Sequence, residues 1–180
     1  MNRAIIKPTI ALTIMALCAA LFIGMVYSVT EEPIRNRRAQ AAAEAVSLLI
    51  PATYETTYEY INKVDSSLTQ RVTAYDRVGN VLGYVFTANP AGYSGRIHMM
   101  VAICPLGAII GVHVLHHTET PGLGSNITRE SFLAGFVGLD HGVITQADVP
   151  IITSATISVN AVLRGVNDAK AYFVSQLLEK

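Results

Sequence analysis

Thr153-Ser154-Ala155-Thr156-Ile157-Ser158 concentrates hydroxyl side chains at the point where an extended stretch gives way to a helical pattern. Val162, Val166, Ala169, Phe173 and Leu177 recur at steps of three and four, and Arg164, Asn167, Asp168 and Ser175 fall on the other side. That spacing predicts an amphipathic helix with one buried and one wet face. A helix start carries unpaired backbone N–H groups and the positive end of the macrodipole, so an anion attached to a residue in its first turn is stabilised there. Thr156 is the residue placed to use this. A plainer role fits the same position: Ser154 or Thr156 acting as a helix cap, which contributes about 1 kcal/mol.

Two further segments carry chemistry-bearing types. Gly92-Tyr93-Ser94-Gly95 precedes a strand-like run, with Tyr93 suited either to a core or to a ligand contact. Glu119-Thr120-Pro121-Gly122-Leu123-Gly124 follows His117. Pro121 stiffens that loop, and Gly122 and Gly124 allow backbone to approach a planar ligand closely; a plain turn is the alternative. His113, His116 and His117 do not converge as metal ligands, because in a strand His113 and His117 share one face and His116 takes the other.

With an amino-terminal apolar segment, these motifs stand in the order of the FMN-binding domain family. The chain resembles the G subunits of Rnf electron-transport complexes, and the C subunits of sodium-translocating NADH:quinone reductases are longer relatives. The resemblance covers essentially the whole chain. It implies FMN held covalently, as a phosphoester to the last Thr of a Ser/Thr-Gly-Ala-Thr motif, which maps onto Thr156 beside Thr153, Ser154, Ala155 and Ser158. Ser154 stands where the family usually has Gly, a residue that lets the backbone adopt positive φ or be approached closely. The resemblance further implies that the 119–124 loop lines the flavin side, with Glu119 and Thr120 as polar contacts, Leu123 against the ring, Gly122 and Gly124 beside it, and Tyr93 nearby.

The chain has 180 residues, 51% of them hydrophobic, and no net charge. A neutral balance leaves no electrostatic footprint for nucleic acid. The apolar excess is local: an uncharged run from Pro8 to Thr30 would extend roughly 35 Å as a helix, enough to cross a bilayer. A cleaved signal peptide competes, with Arg3 and Lys7 as its basic region, but the run exceeds the usual core of about 7–15 residues. Arg3 and Lys7 on one side face Arg35, Arg37 and Arg38 on the other, so charge gives no orientation. The resemblance implies a single pass through the inner (cytoplasmic) membrane, with the flavin domain on the outer face. Cys18 and Cys104 suggest no disulfide framework, and no CxxC pattern marks an iron–sulfur cluster.

An Ala-, Glu- and Arg-rich stretch from Glu31 reads as a helix that stops at Pro51. Arg71–Tyr75 and Val81–Phe86 flank Gly79-Asn80 as a β-hairpin. Runs 97–103 and 108–115, joined through Pro105-Leu106-Gly107, form a second pair, and Ser131–Phe136 a short helix. The expected class is α+β: a single amino-terminal transmembrane helix (1–30), an extramembrane linker helix (31–51) and an FMN-binding domain (52–180). About four antiparallel strands are covered on one face by the carboxyl-terminal helix.

The expected function is that of a membrane-anchored electron carrier. The resemblance implies a relay within an Rnf-type ferredoxin:NAD oxidoreductase coupled to sodium or proton transport. Implied partners are the other subunits, membrane lipid, and a flavin transferase that uses FAD to modify Thr156. The rival is a non-redox membrane-anchored binding module with Thr156 as a cap. A free-FMN oxidoreductase is less attractive, because no nicotinamide-binding glycine fingerprint is present.

Overall fold

The computed structural model describes residues 3–61, 66–140 and 142–178, with the side chains of 3–8, 32–39 and 178 outside the description. The basic residues that flank the apolar run, and on which any charge-based orientation rests, fall among those side chains. The chain divides into two compact units, Met1–Ala41 and Ala42–Lys180.

The described residues of the first unit belong to α1, which runs from Arg3 to Leu49. Thr9–Glu31 is long and apolar enough to cross a membrane, and none of its apolar window is buried. Leu12, Leu21, Phe22 and Ile23 all face outward, which suits a lipid solvent and no aqueous one. Leu21→Arg, near the middle of the span, is expected to cost about 3–4 kcal/mol of insertion. The measurement is the fraction of protein that resists alkaline extraction from membranes, which falls if the helix spans.

The second unit is built on an antiparallel sheet in the order β1 (Glu55–Tyr60), β2 (Leu68–Tyr75), β3 (Val81–Ala88), β4 (His98–Ile103), β5 (Ile109–His116). The sheet thus has one strand more than the sequence pattern predicts. β1, Glu-Thr-Thr-Tyr-Glu-Tyr, is exposed along nearly its whole length and has no apolar alternation. Pairing with β2, from Glu55 opposite Tyr75 to Tyr60 opposite Gln70, makes it a strand. The predicted β2–β3 hairpin forms, its turn fastened by Asp76. Asp76 Oδ1 accepts from the N–H groups of Val78 (2.8 Å) and Asn80 (2.9 Å), and Oδ2 accepts from Asn80 Nδ2 (2.9 Å).

Both faces of the sheet are covered. On one, Val72, Ala74, Val85, Met100 and Ala102 bury against Ala45, Val46 and Ile50, at and just past the carboxyl end of α1. On the other, Phe86, Met99, Val101 and Ile103 bury against Val159, Val162, Val166, Ala169 and Phe173 of α3 (Thr156–Phe173). Leu177 lies beyond α3 in a π-helical turn, Val174–Leu178. The predicted short helix is split between α2 (Glu130–Leu133) and a 3₁₀ turn at Ala134–Phe136, where Phe132 and Phe136 meet edge to face at 5.3 Å.

The side of α3 expected to be wet is polar but not idle. Arg164 Nη2 donates to the Ala91 carbonyl (2.6 Å), and the Asn167 side-chain amide both accepts from and donates to the backbone of Ile144 (2.8 Å each). Asp168 Oδ2 accepts from the N–H (2.7 Å) and hydroxyl (2.5 Å) of Ser67. A loop layer therefore packs where solvent was expected.

Candidate functional site

α3 begins at Thr156, and the cap position before it falls on Ala155, which makes no side-chain capping bond. Neither Ser154 nor Thr156 is the cap that the plainer reading required. Thr156 is the first helical residue, its side chain exposed, in a turn whose leading N–H groups have no partner within the helix.

Ser154 holds φ at +64°, the one non-glycine residue with positive φ among those described. The turn at 153–154 leads the chain into α3, so a conformation that glycine adopts without penalty is held here by a serine. For an L residue it costs roughly 1–2 kcal/mol. Ser154→Gly is expected to relieve part of this, for a net gain of about 0.5–1 kcal/mol after glycine's greater unfolded-state freedom is counted. The check is the urea midpoint of the detergent-solubilised protein, which should rise at constant slope.

A pocket of about 550 Å³ opens at this helix start, lined by Tyr93, Glu119, Thr120, Leu123, Gly124 and residues 154–158. Residues from three separated motifs thus meet in one place. Thr153 instead lines a neighbouring cavity of about 250 Å³ with Asn126, Arg129 and Pro150, and Gly122 is not part of the wall. Gly122 serves the turn: its φ is +77°, its N–H donates to Ser125 Oγ (2.9 Å), and its carbonyl accepts from Asn126 Nδ2 (3.0 Å).

The rim is apolar and unusually open. Tyr93 is 69% exposed, Ile157 52% and Leu123 46%. Ile157 is the member that the sequence pattern missed. It lies out of phase with the buried stripe of α3 and next to Thr156, and an apolar residue in that position was the available signal.

Glu119 is the opposite case, only 4% exposed. Its Oε1 accepts from the N–H groups of Tyr93 (2.9 Å) and Ser94 (3.1 Å), and its Oε2 accepts from the buried Ser158 hydroxyl. Its own N–H donates to His117 Nδ1 (3.2 Å). Ser158 is accordingly committed to the carboxylate, whereas Thr156 is exposed and lines the pocket. His98 and His116 pair across β4 and β5, and among the described residues no group of three His, Cys, Asp or Glu side chains is arranged for a metal.

The residues present fit a flavin mononucleotide. The volume lies within the range of roughly 300–1,000 Å³ typical of small-molecule sites, aromatic and aliphatic side chains stand open at the rim, and the helix start supplies N–H donors for an anion.

The fold and this pocket define the class, an FMN-binding domain, and the model of the FMN-binding domain family matches residues 92–171. The G subunit of the ion-translocating oxidoreductase complex of Methanosarcina acetivorans is 30% identical over 183 residues, covering 97% of this chain and 97% of that protein. The chain belongs to the family of G subunits of ion-translocating oxidoreductase complexes. The G subunit of the proton-translocating ferredoxin:NAD(+) oxidoreductase complex of Clostridium ljungdahlii is 28% identical, covering 93% of this chain and 91% of that protein. In fold, the crystal structure of Shewanella oneidensis NqrC matches 73% of this chain and 74% of its own, with TM-score 0.52 and 22% identity.

Proposed function

We propose that this protein is a membrane-anchored electron carrier with FMN bound covalently through Thr156, working as one relay of a ferredoxin:NAD oxidoreductase coupled to sodium or proton transport. The observation that carries this is the exposed Thr156 hydroxyl at the first position of α3, inside a pocket rimmed by exposed Tyr93, Leu123 and Ile157. When bound, FMN accepts two electrons and releases them singly, so it links donors and acceptors of different electron number.

The chain's own residues supply attachment, orientation and shelter. Thr156 would supply the hydroxyl for the phosphoester: with FAD as donor, its Oγ1 would bond to the FMN phosphorus as the pyrophosphate breaks, and AMP would leave with the hydroxyl proton released. The first-turn N–H groups of α3 and its dipole would hold the phosphate. Tyr93, Leu123 and Ile157 would offer apolar surface to the ring system, and Thr120 a polar contact. Ala155, small and buried, leaves the approach to the hydroxyl open.

Residues 1–30 anchor the protein in the inner (cytoplasmic) membrane with the flavin domain on the outer face, so neighbouring subunits meet it at high effective concentration. Residues 31–51 lead into the flavin domain at 52–180. Full-length protein made with an active flavin transferase and FAD is expected to carry one FMN, seen as added intact mass and in-gel fluorescence after denaturation. Both signals should be absent when the transferase is omitted. Unmodified protein from cells whose transferase demonstrably works on another acceptor would sink the proposal.

A further inference from the structure

The loop motifs and the hydroxyl motif meet on a single carboxylate. Glu119 reaches back 26 and 25 residues to the N–H groups of Tyr93 and Ser94, and forward 39 residues to the hydroxyl of Ser158 in the first turn of α3. The glycines of the two loops fit around it. A Cβ on Gly92 would collide with Glu119 Oε1, and one on Gly124 would come within 2.7 Å of both Glu119 Oε2 and Ser158 Oγ. In the same turn, a Cβ on Gly95 would run into Thr118 Oγ1. At Gly124 the space that suggested close approach of a planar ligand is therefore taken up by Glu119 and Ser158, whereas Gly122 faces open space. The Glu119 oxygens are occupied by three protein donors, and its side chain is almost wholly buried, so little of it is left to face a cofactor.

We propose that Glu119 is a positioning residue of the flavin site: its carboxylate ties the Gly92–Gly95 turn, the Glu119–Gly124 loop and the start of α3 into one wall, which holds Tyr93 and Thr156 in register. This rests on Thr156 being the attachment point. Glutamine can reproduce the geometry, with its carbonyl oxygen accepting from Tyr93 and Ser94 and its amide donating to Ser158 Oγ. Alanine can reproduce none of it and leaves buried donors without partners.

The test uses full-length protein in detergent with the flavin transferase and FAD, and reads two quantities. One is kcat/KM for attachment with this protein as the acceptor. The other is amide hydrogen exchange at Tyr93 and Ser94 before any flavin is added. Glu119→Ala is expected to lower kcat/KM at least about tenfold and to speed exchange of both amides by a similar factor, as loss of a charge-assisted hydrogen bond does. Glu119→Gln should restore both to within about threefold. Ser158→Ala should slow attachment while leaving the Tyr93 and Ser94 amides protected, and it carries the test alone if Glu119→Ala does not fold.

Attachment at the wild-type rate in Glu119→Ala, despite faster exchange, would overturn the proposal, as would a Gln variant as impaired as Ala. Wild-type protein that takes up no flavin, while the exchange pattern follows as stated, would refute the attachment reading and leave the three-way tie standing.

Discussion

Thr156→Ala, made alongside an active flavin transferase, is expected to emerge colourless and unmodified, with its intact mass equal to that of the bare chain. The reason lies in the uneven standing of the hydroxyls. Ser158 is buried and donates to Glu119, and Thr153 faces the neighbouring cavity. Ser154 shares the pocket but sits in the left-handed turn ahead of the helix rather than in its first turn. Of the four hydroxyl residues in the 153–158 motif, only Thr156 is both exposed and in the first turn of α3. Thr156→Ser, which keeps that hydroxyl, should retain flavin. The same variants separate attachment from capping: a capping Thr would lose about 1 kcal/mol on replacement by Ala. Because Thr156 makes no capping bond here, the urea midpoint of Thr156→Ala should stay within about 0.5 kcal/mol of wild type. A normal flavin content with a lowered midpoint would reverse the assignment.

Phe86→Ala is expected to be the most damaging single change to the fold. Phe86 lies in β3, is fully buried, and meets Tyr172 of α3 edge on at 5.7 Å, so it joins the sheet to the helix that presents Thr156. Removing a buried aromatic ring costs about 3–5 kcal/mol, a large part of the roughly 5–15 kcal/mol that holds a typical domain together. Chemical denaturation of the detergent-solubilised protein should show the loss directly. Flavin content should fall with the folded fraction, while the membrane-bound fraction stays unchanged, because the span Thr9–Glu31 contributes nothing to this core. A loss below about 1 kcal/mol would mean that the site around Phe86 collapses far more freely than a packed core permits.

How much of this was legible depended on whether the signal was local. The three- and four-residue spacing of Val162, Val166, Ala169 and Phe173 gave α3, and Gly79-Asn80 gave the β2–β3 hairpin, because periodicity and turn chemistry reside in neighbouring residues. The departure at Ser154 left open whether the position needs positive φ or a close backbone approach, and the chain takes φ +64° there. β1 was not legible, since its residues bury little and only the pairing with β2 makes them a strand. The second cover of the sheet was hidden for a related reason: Ala45, Val46 and Ile50 belong to a stretch whose Ala-rich composition speaks for helix and is silent on what the helix packs against. Glu119 was singled out as a polar contact, but its burial was not foreseen, because the donors it serves lie 25 to 39 residues away. Spacing within a motif carries no trace of them.

The polar side of α3 bears on the rate at which electrons move. Arg164, Asn167 and Asp168 each bind a different loop, at Ala91, Ile144 and Ser67, while the opposite side of the helix is packed into the sheet. A helix clamped on both sides has few alternative arrangements to relax into when charge arrives at its amino end. Dipoles that are already in position need not turn as the charge changes. With FMN on Thr156 as proposed, the nuclear rearrangement that accompanies each electron's arrival and departure is expected to be small, so the residues that pin α3 would serve transfer as well as the stability of the fold.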